Sequence, residues 1–188
     1  GSGKSKQSEK LVKYLEDRGE KVLYTREPGS PHIGLNVREF LLSDKKVNGV
    51  ALALLFQADR AEHTQWVKEK LAEGYWIISD RCYVSGLAYA MSWGHKFDDL
   101  VAVLKLSIQC KPDFVVYMDC STQTSMDRVA AKGSNTREES RGPAIREEIR
   151  QNYLKVIETL KENQQFYIVD SEKWTESESF EYIVRIVQ

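Results

Sequence analysis

The first five residues fit the second half of a phosphate-binding loop, and this feature constrains the fold more than any other. They read GSGKS, the end of the pattern G-x-x-x-x-G-K-[ST], and a helical pattern follows them. Backbone N–H groups of such a loop surround nucleotide phosphates, its lysine reaches the outer phosphates, and its Ser or Thr hydroxyl binds Mg²⁺. A flexible start before an ordinary helix is the alternative interpretation. The motif predicts Mg²⁺ at Ser5 and ATP binding by Gly1, Ser2, Gly3, Lys4, Ser5 and Lys6.

The position of this loop predicts a longer natural chain. A phosphate-binding loop normally follows a buried strand at the centre of a parallel sheet, and here no residue precedes Gly1. A parallel sheet without its middle strand should be unstable. We therefore expect the natural chain to begin earlier, with that strand and the first glycine of the motif.

Length and charge restrict the class of protein. The 188 residues suit one domain, residues 1–188, and 41% of them are hydrophobic, as in ordinary globular proteins. The net charge of −1 argues against bulk affinity for nucleic acid or an anionic membrane surface, and no apolar run reaches the length of a membrane span. Three cysteines without metal-ligand spacing favour a reducing cytoplasm.

Strand and helix patterns alternate along the chain. Short apolar runs bounded by Gly, Pro or Asp predict buried parallel strands at 21–25, 76–79, 114–118 and 166–169. Helical patterns cover 6–16, 35–42, 50–71, 98–109, 121–131, 145–163 and 177–187. The alternation predicts an α/β fold. With the phosphate-binding loop, we expect a three-layer P-loop NTP hydrolase-type sandwich whose parallel sheet has five strands, counting the one before Gly1.

The segment at about 132–143 is polar and rich in charge. It can be a solvated loop between two helices. In a P-loop phosphotransferase it is also where a mobile lid would bring cations to the transferred phosphoryl group and exclude water. We favour the lid.

Charged residues follow two of the predicted strands. Arg26 and Glu27 end the first and could face a ligand, because open α/β sheets bind ligands at the carboxyl ends of their strands. A surface ion pair is the alternative. Asp80 and Arg81 end the second strand, where the aspartate can hold Mg²⁺ and the arginine can grip a phosphate. A structural salt bridge is the alternative there.

Two further segments are compatible with a base-binding pocket. Phe56 and Arg60 are four residues apart on one helix face, so a ring could stack on a base while the arginine bonds its edge. A core Phe beside a surface Arg is the more common arrangement. The small residues at 85–88 and the ring of Tyr89 allow either a ligand's close approach or a tightly packed helix start.

Taken together and in this order, these segments resemble the thymidylate kinase family, whose members phosphorylate dTMP. The matching pieces are GSGKS, TREPG, LLFQADRAEH, the DR pair after a strand, SGLAY, a charged lid and a final helix–strand–helix. The ordered set spans almost the whole chain and is more specific than any one motif.

The resemblance implies a role for each motif. Lys4 and the loop amides would hold the ATP phosphates, Ser5 would bind Mg²⁺, and Asp80 would support the metal. The expected dTMP site contains arginines for the phosphate, a ring for the thymine and small residues beside the sugar. Its members are Glu27, Arg38, Phe56, Arg60, Arg81, Ser85, Gly86 and Tyr89.

The resemblance also places the catalytic positive charge. Some family members carry an arginine in the phosphate-binding loop, where this chain has Gly1. Others supply it from the lid, so the expected catalytic residues are Lys4, Arg81, Arg137 and Arg141, with Arg128 and Lys132 nearby. A homodimer formed through helices that include 50–71 is implied as well, and the loop 170–173 is a candidate for part of the adenine site.

Departures from the family pattern leave alternatives open. Ala90 stands where many relatives have a base-contacting glutamine, and Cys82 stands where an aromatic residue is common. Base selectivity could therefore be relaxed. The alternatives are a related deoxynucleotide or deoxynucleoside kinase with another acceptor base, and a nucleotide-binding module without catalysis.

Overall fold

The computed structural model describes residues 1–42, 47–131, 133 and 142–188. Its strands are β1 (Val22–Arg26), β2 (Trp76–Asp80), β3 (Phe114–Asp119) and β4 (Gln165–Asp170). Its helices are α1 (Lys4–Glu16), α2 (Gly34–Leu42), α3 (Gly49–Ala72), α4 (Tyr83–Ser92), α5 (Phe97–Ser107), α6 (Thr122–Ala131), α7 (Pro143–Leu160) and α8 (Glu176–Val187). The four strands agree with their predicted bounds to within one residue.

The strands form two parallel pairs. Strand β1 pairs with β2 from Val22↔Trp76 to Arg26↔Asp80. Strand β3 pairs with β4 in the same sense, and a cavity of about 1010 Å³ is lined by residues of both β2 and β3. The prediction of parallel strands is confirmed for these pairs, whereas the five-stranded sheet stays a prediction.

Helices cover both faces of the pair formed by β3 and β4. Val115 contacts a hydrophobic cluster built from α4, α5 and α7, whereas Val116 and Met118 belong with the residues of α1 and α8. Alternate residues of a strand point to opposite faces, so one strand serves two cores. The described residues therefore form an α/β arrangement with a helical layer on each side of its strands.

Helix α4 is buried in the core on one side and lines the cavity on the other. Leu87 and Ala88 are fully buried in the core, while Ser85, Gly86 and Tyr89 line the cavity. A helix with one apolar stripe presents its other side to the cavity.

The predicted lid lies mostly outside the described residues. Lys132, Arg137 and Arg141 are among the residues about which the structure says nothing, so the lid and its arginines stay predictions. Among the residues that are described, no helix is both long enough and apolar enough to span a membrane.

Candidate active site

The phosphate-binding loop leads directly into α1. Gly3 has a φ of 86°, a left-handed conformation that favours glycine, and α1 begins at the next residue. Gly1, Ser2, Lys4 and Ser5 all line the cavity. The side chain of Lys6 instead pairs with Glu176 on α8, so only its backbone N–H is available to a phosphate.

Gly1 has no room for a side chain. A Cβ atom at this position would overlap the backbone carbonyl of Ser125 on α6. An arginine could not replace Gly1 without moving α6. This contact gives a physical reason for the absence of a cation at this point of the loop.

Asp80 connects the end of β2 to the loop. Ser5 Oγ donates a hydrogen bond to Asp80 Oδ2 at 2.6 Å, and Lys4 Nζ lies 3.7 Å from Asp80 Oδ1. Burial disfavours the charged carboxylate, but Lys4, the Ser5 hydroxyl and the nearby arginines outweigh it and lower the pKa of Asp80. Asp80 Oδ1 is buried and accepts no hydrogen bond from the described residues.

These oxygens fit a magnesium site. Mg²⁺ prefers hard oxygen ligands and is held in kinases by one or two protein oxygens together with substrate phosphates. The hydroxyl of Ser5 and the carboxylate of Asp80 supply such oxygens 2.6 Å apart. Among the described residues, no group of three or more His, Cys, Asp or Glu side chains is placed to hold an ion.

Three arginines converge beside Asp80. Arg26, Arg38 and Arg81 line the same cavity, and burial together with the charges of Arg26 and Arg81 lowers the pKa of Arg38. Cations gathered around a single carboxylate favour binding of a phosphate dianion.

Arg81 is held in an unusual backbone conformation. Its φ of 81° costs a residue with a Cβ about 1–2 kcal/mol. Its Nη1 donates to the Tyr153 hydroxyl at 3.3 Å, and its guanidinium lies 5.3 Å from the centroid of the Tyr89 ring. Two tyrosines thus aim this arginine into the cavity.

Glu27 and Arg60 form a buried ion pair. Arg60 Nε and Nη2 donate to Glu27 Oε2 at 3.0 and 2.9 Å, and Arg60 Nη1 donates to Gln57 Oε1 at 2.8 Å. Arg60 is only 1% exposed and Glu27 6%. Two of the alternative interpretations are therefore wrong. Arg60 is not a surface residue, and Glu27 forms its ion pair with Arg60 rather than a surface pair with Arg26.

Gly86 is required by the position of Arg60. A Cβ atom on Gly86 would lie 2.5 Å from Arg60 Nη2 and 3.1 Å from its Cζ. The guanidinium therefore passes directly beneath α4, next to Ser85 and Tyr89. Phe56 lines the same cavity as Ser85, Gly86 and Tyr89, so the structure brings together the two segments expected to form the base pocket.

Asp59 is a buried structural residue beside the site that the sequence patterns did not identify. Its carboxylate accepts hydrogen bonds from the backbone N–H groups of Gly29, at 3.2 and 3.1 Å, and Ser30, at 2.9 Å. It is 1% exposed and fastens the turn after β1 to α3. Its place beside Arg60 in the segment QADR was the available signal.

Helix α7 supplies further cavity-lining residues that the sequence patterns did not identify. Arg146, Arg150 and Tyr153 all line the cavity, and Arg150 holds Asp119 at the end of β3 through two hydrogen bonds of 2.8 Å. Their spacing of four and three residues places them on one helical face. This spacing, directly after the predicted lid, could have revealed them.

Two of the remaining residues lie away from the base pocket. Ala90 is 2% exposed and packs within the hydrophobic cluster of α4, α5 and α7. Arg128 donates to the Ser171 hydroxyl at 3.1 Å and to its carbonyl at 2.8 Å, which ties α6 to the loop after β4. The assignment of that loop to the adenine site stays a prediction.

The fold and the site together define a P-loop nucleotide-binding protein of the α/β class. A sequence model of the family described as thymidylate kinase matches residues 1–179. The chain is 36% identical over 177 residues to the thymidylate kinase of Thermosipho africanus, which covers 92% of this chain and 86% of the relative. It is 34% identical over 168 residues to the probable thymidylate kinase of Pyrococcus horikoshii, covering 86% and 80%.

A solved structure supports the same fold. The crystal structure of thymidylate kinase from Ehrlichia chaffeensis superimposes with a TM-score of 0.77 at 21% identity, covering all of this chain and 93% of the other. This chain belongs to the thymidylate kinase family.

Proposed function

We propose that this protein transfers the γ-phosphoryl group of ATP to dTMP, giving dTDP and ADP. The observation that carries the proposal is the hydrogen bond from Ser5 in the phosphate-binding loop to Asp80, the residue directly before Arg81. Lys4 and Ser5 line the same cavity as Phe56 and Arg60. Family membership supports the same ATP-dependent reaction.

The acceptor phosphate would lie between the arginines at the ends of β1 and β2. Arg81 and Arg38 would bind its oxygens, and Arg26 adds charge beside them. One phosphate oxygen attacks the γ-phosphorus, a new P–O bond forms, and the bond to the β-phosphate oxygen breaks as ADP leaves. That acceptor oxygen is ionised near neutral pH, so the protein's contribution is positioning and neutralisation of charge.

Ser5 and Asp80 would hold Mg²⁺ through their oxygens. When bound, the ion neutralises charge on the β- and γ-phosphates. Lys4, whose side chain lies beside Asp80, would contact the same phosphates. The hydrogen bond from Ser5 to Asp80 keeps these groups in register before substrate binds.

The thymine base would stack on Phe56 and accept hydrogen bonds from Arg60. A guanidinium has five N–H donors, and Glu27 and Gln57 accept three of those of Arg60. The other two N–H donors have no acceptor among the described residues and would bind a carbonyl oxygen of the base. The sugar and base would be lined by Ser85, Gly86 and Tyr89. Glu27 would hold Arg60 in place through their ion pair.

The lid arginines Arg137 and Arg141 would supply the catalytic charge during transfer. The proposal rests on the tight contact between Gly1 and Ser125, which leaves no space for a second cationic side chain at position 1 of the loop. An arginine at the transferring phosphoryl group is worth orders of magnitude in rate.

A homodimer through α3 is part of the proposal. Val50 and Leu54 are each about half exposed, at 53% and 52%, and Ala58 continues the same face one turn later. An apolar stripe at helical spacing suits a helix–helix interface with a second copy.

We place the enzyme in the cytoplasm because Cys82, Cys110 and Cys120 are all free thiols.

The test is ADP release by the full natural chain with ATP·Mg²⁺ and, in turn, dTMP, dUMP, dCMP, dGMP and AMP. We expect strong preference for dTMP. Preference for another monophosphate would keep the kinase activity and overturn the thymine pocket. No ADP release with any acceptor would overturn the proposed activity and favour a nucleotide-binding module.

A further inference from the structure

The ring of Phe56 packs against an indole that no motif accounts for. The ring centroids of Phe56 and Trp93 lie 5.8 Å apart with an interplanar angle of 31°. Both side chains line the cavity, close to Arg60 and Tyr89. Trp93 therefore covers one side of the ring that is proposed to stack on the base.

Trp93 is itself held by two helices. It ends α4, where its N–H donates to the Ala90 carbonyl at 3.1 Å, and Gly94 follows with a φ of 90°. The backbone of Gly49, at the start of α3, packs so closely that a Cβ there would lie 3.3 Å from Trp93 Cβ. The start of α3 therefore packs against the end of α4 at the Cβ and backbone of Trp93.

Packing, not hydrogen bonding, orients the indole. Its Nε1 is buried and has no partner among the described residues. Removing this N–H should therefore cost nothing, whereas removing the aromatic surface should free the Phe56 ring. An adjacent aromatic pair in a tilted or offset arrangement is favourable beyond the area it buries.

We propose that Trp93 is a positioning residue for the acceptor base, since it fixes the Phe56 ring so that one face stays available for a pyrimidine. This inference rests on the proposed function and extends it to a residue outside the motifs. When the Phe56 ring is already fixed, binding of the pyrimidine does not have to order the ring as well. The loss of conformational freedom on binding is then smaller.

The experiment compares Trp93→Leu and Trp93→Phe with the natural enzyme through the KM for dTMP, the KM for ATP and kcat. We expect Trp93→Leu to raise the KM for dTMP about tenfold and leave the KM for ATP unchanged. Trp93→Phe keeps an aromatic surface and should stay within about twofold of the natural enzyme, because no hydrogen bond is lost.

A matched control uses a tryptophan elsewhere. Trp174→Leu removes an indole that packs on Tyr182, 5.0 Å between centroids, in the other hydrophobic cluster. Trp174→Leu should not raise the KM for dTMP relative to the KM for ATP. An equal rise of both KM values in Trp93→Leu, no change in either, or a Trp93→Phe variant as impaired as Trp93→Leu would each overturn the role of Trp93.

A second measurement can be made even when Trp93→Leu does not fold. Addition of dTMP should change the tryptophan fluorescence of the natural enzyme. Trp93→Phe should lose this change, and Trp174→Phe should keep it. A change that persists in Trp93→Phe contradicts the proposal. Failure of the proposed function would appear separately, as a natural enzyme that does not turn over dTMP.

Discussion

Ser5 at the start of α1 donates a hydrogen bond to Asp80 at the end of β2, with 2.6 Å between Oγ and Oδ2. This bond joins the phosphate-binding loop to the strand end beside Arg81, which is proposed to bind the acceptor phosphate. Both oxygens are also the proposed metal ligands. The proposed donor and acceptor sites therefore meet at one carboxylate.

Asp80→Asn should lower kcat about 100-fold and raise the Mg²⁺ concentration needed for half-maximal rate. The amide keeps the shape but removes the charge that attracts Mg²⁺ and balances Lys4. Initial rates in a Mg²⁺ titration measure both effects. Asp17→Asn, at an exposed pair with Lys13, is the control and should behave as the natural enzyme. An unchanged Mg²⁺ requirement in Asp80→Asn would remove Asp80 from the metal site.

Gly86→Ala should weaken dTMP binding and leave ATP binding intact. The new methyl group would lie 2.5 Å from Arg60 Nη2, so the guanidinium must leave its bonds with Glu27 or α4 must shift. We expect at least a tenfold loss of dTMP affinity by calorimetry, since a buried charge-assisted bond is disturbed. Gly142→Ala, which meets open space, serves as comparison. Similar affinities for both variants would contradict the close contact.

Arg81→Ala should abolish transfer without unfolding the protein, because the side chain contacts Tyr153 and the cavity and does not belong to the hydrophobic clusters. A loss of about 1,000-fold in kcat/KM for dTMP is expected for a missing bidentate phosphate contact near the reacting atoms. Circular dichroism checks the fold, and Arg18→Ala, a residue stacked on Tyr14 at the surface, is the control. Near-normal turnover would show that the acceptor phosphate binds elsewhere.

Stability should fall in acid through Glu27. Burial would raise the pKa of Glu27, but Arg60 and His63 outweigh burial and lower it below its ordinary value of 4.5. The folded state therefore binds fewer protons at this site than the unfolded state. Its stabilisation is complete above about pH 4.5 and is lost as the pH falls through the folded pKa.

Urea unfolding across this range measures the effect. Glu27→Gln should be about 3 kcal/mol less stable at neutral pH, because Arg60 is left buried and unpaired, and its stability should depend less on pH below 4.5. Glu16→Gln, at an exposed position on α1, should follow the natural protein at every pH. Parallel pH curves for Glu27→Gln and the natural protein would show that Glu27 is not the responsible group.

Much of the fold could be predicted because its signals are local. The runs at 76–79 and 114–118 are apolar except for Ser79 and bounded by turn residues, and they form strands β2 and β3. The segment at 85–89 could not be assigned, because its small residues suit both a packed helix and a ligand surface. The structure shows that one side of α4 packs in the core and the other lines the cavity, whereas the ligand role stays a prediction.

The candidate site was predicted best where a motif carries its own geometry. GSGKS needs only its neighbours to form a loop and a helix start, and Gly3 has a left-handed conformation that favours glycine. Arg60 could be placed on a helix with Phe56, but its burial could not be predicted. A lone arginine is normally exposed, and only a distant partner makes its burial favourable.

The sequence by itself determined the α/β alternation, the phosphate-binding loop and the family, since these depend on patterns among residues close in the chain. Tertiary structure alone decided which distant groups meet. Glu27 bonds Arg60 33 residues away and Ser5 bonds Asp80 75 residues away. Trp93 reaches Phe56 only because α3 and α4 pack against each other. Such contacts follow from how helices and strands are stacked, which no local spacing records.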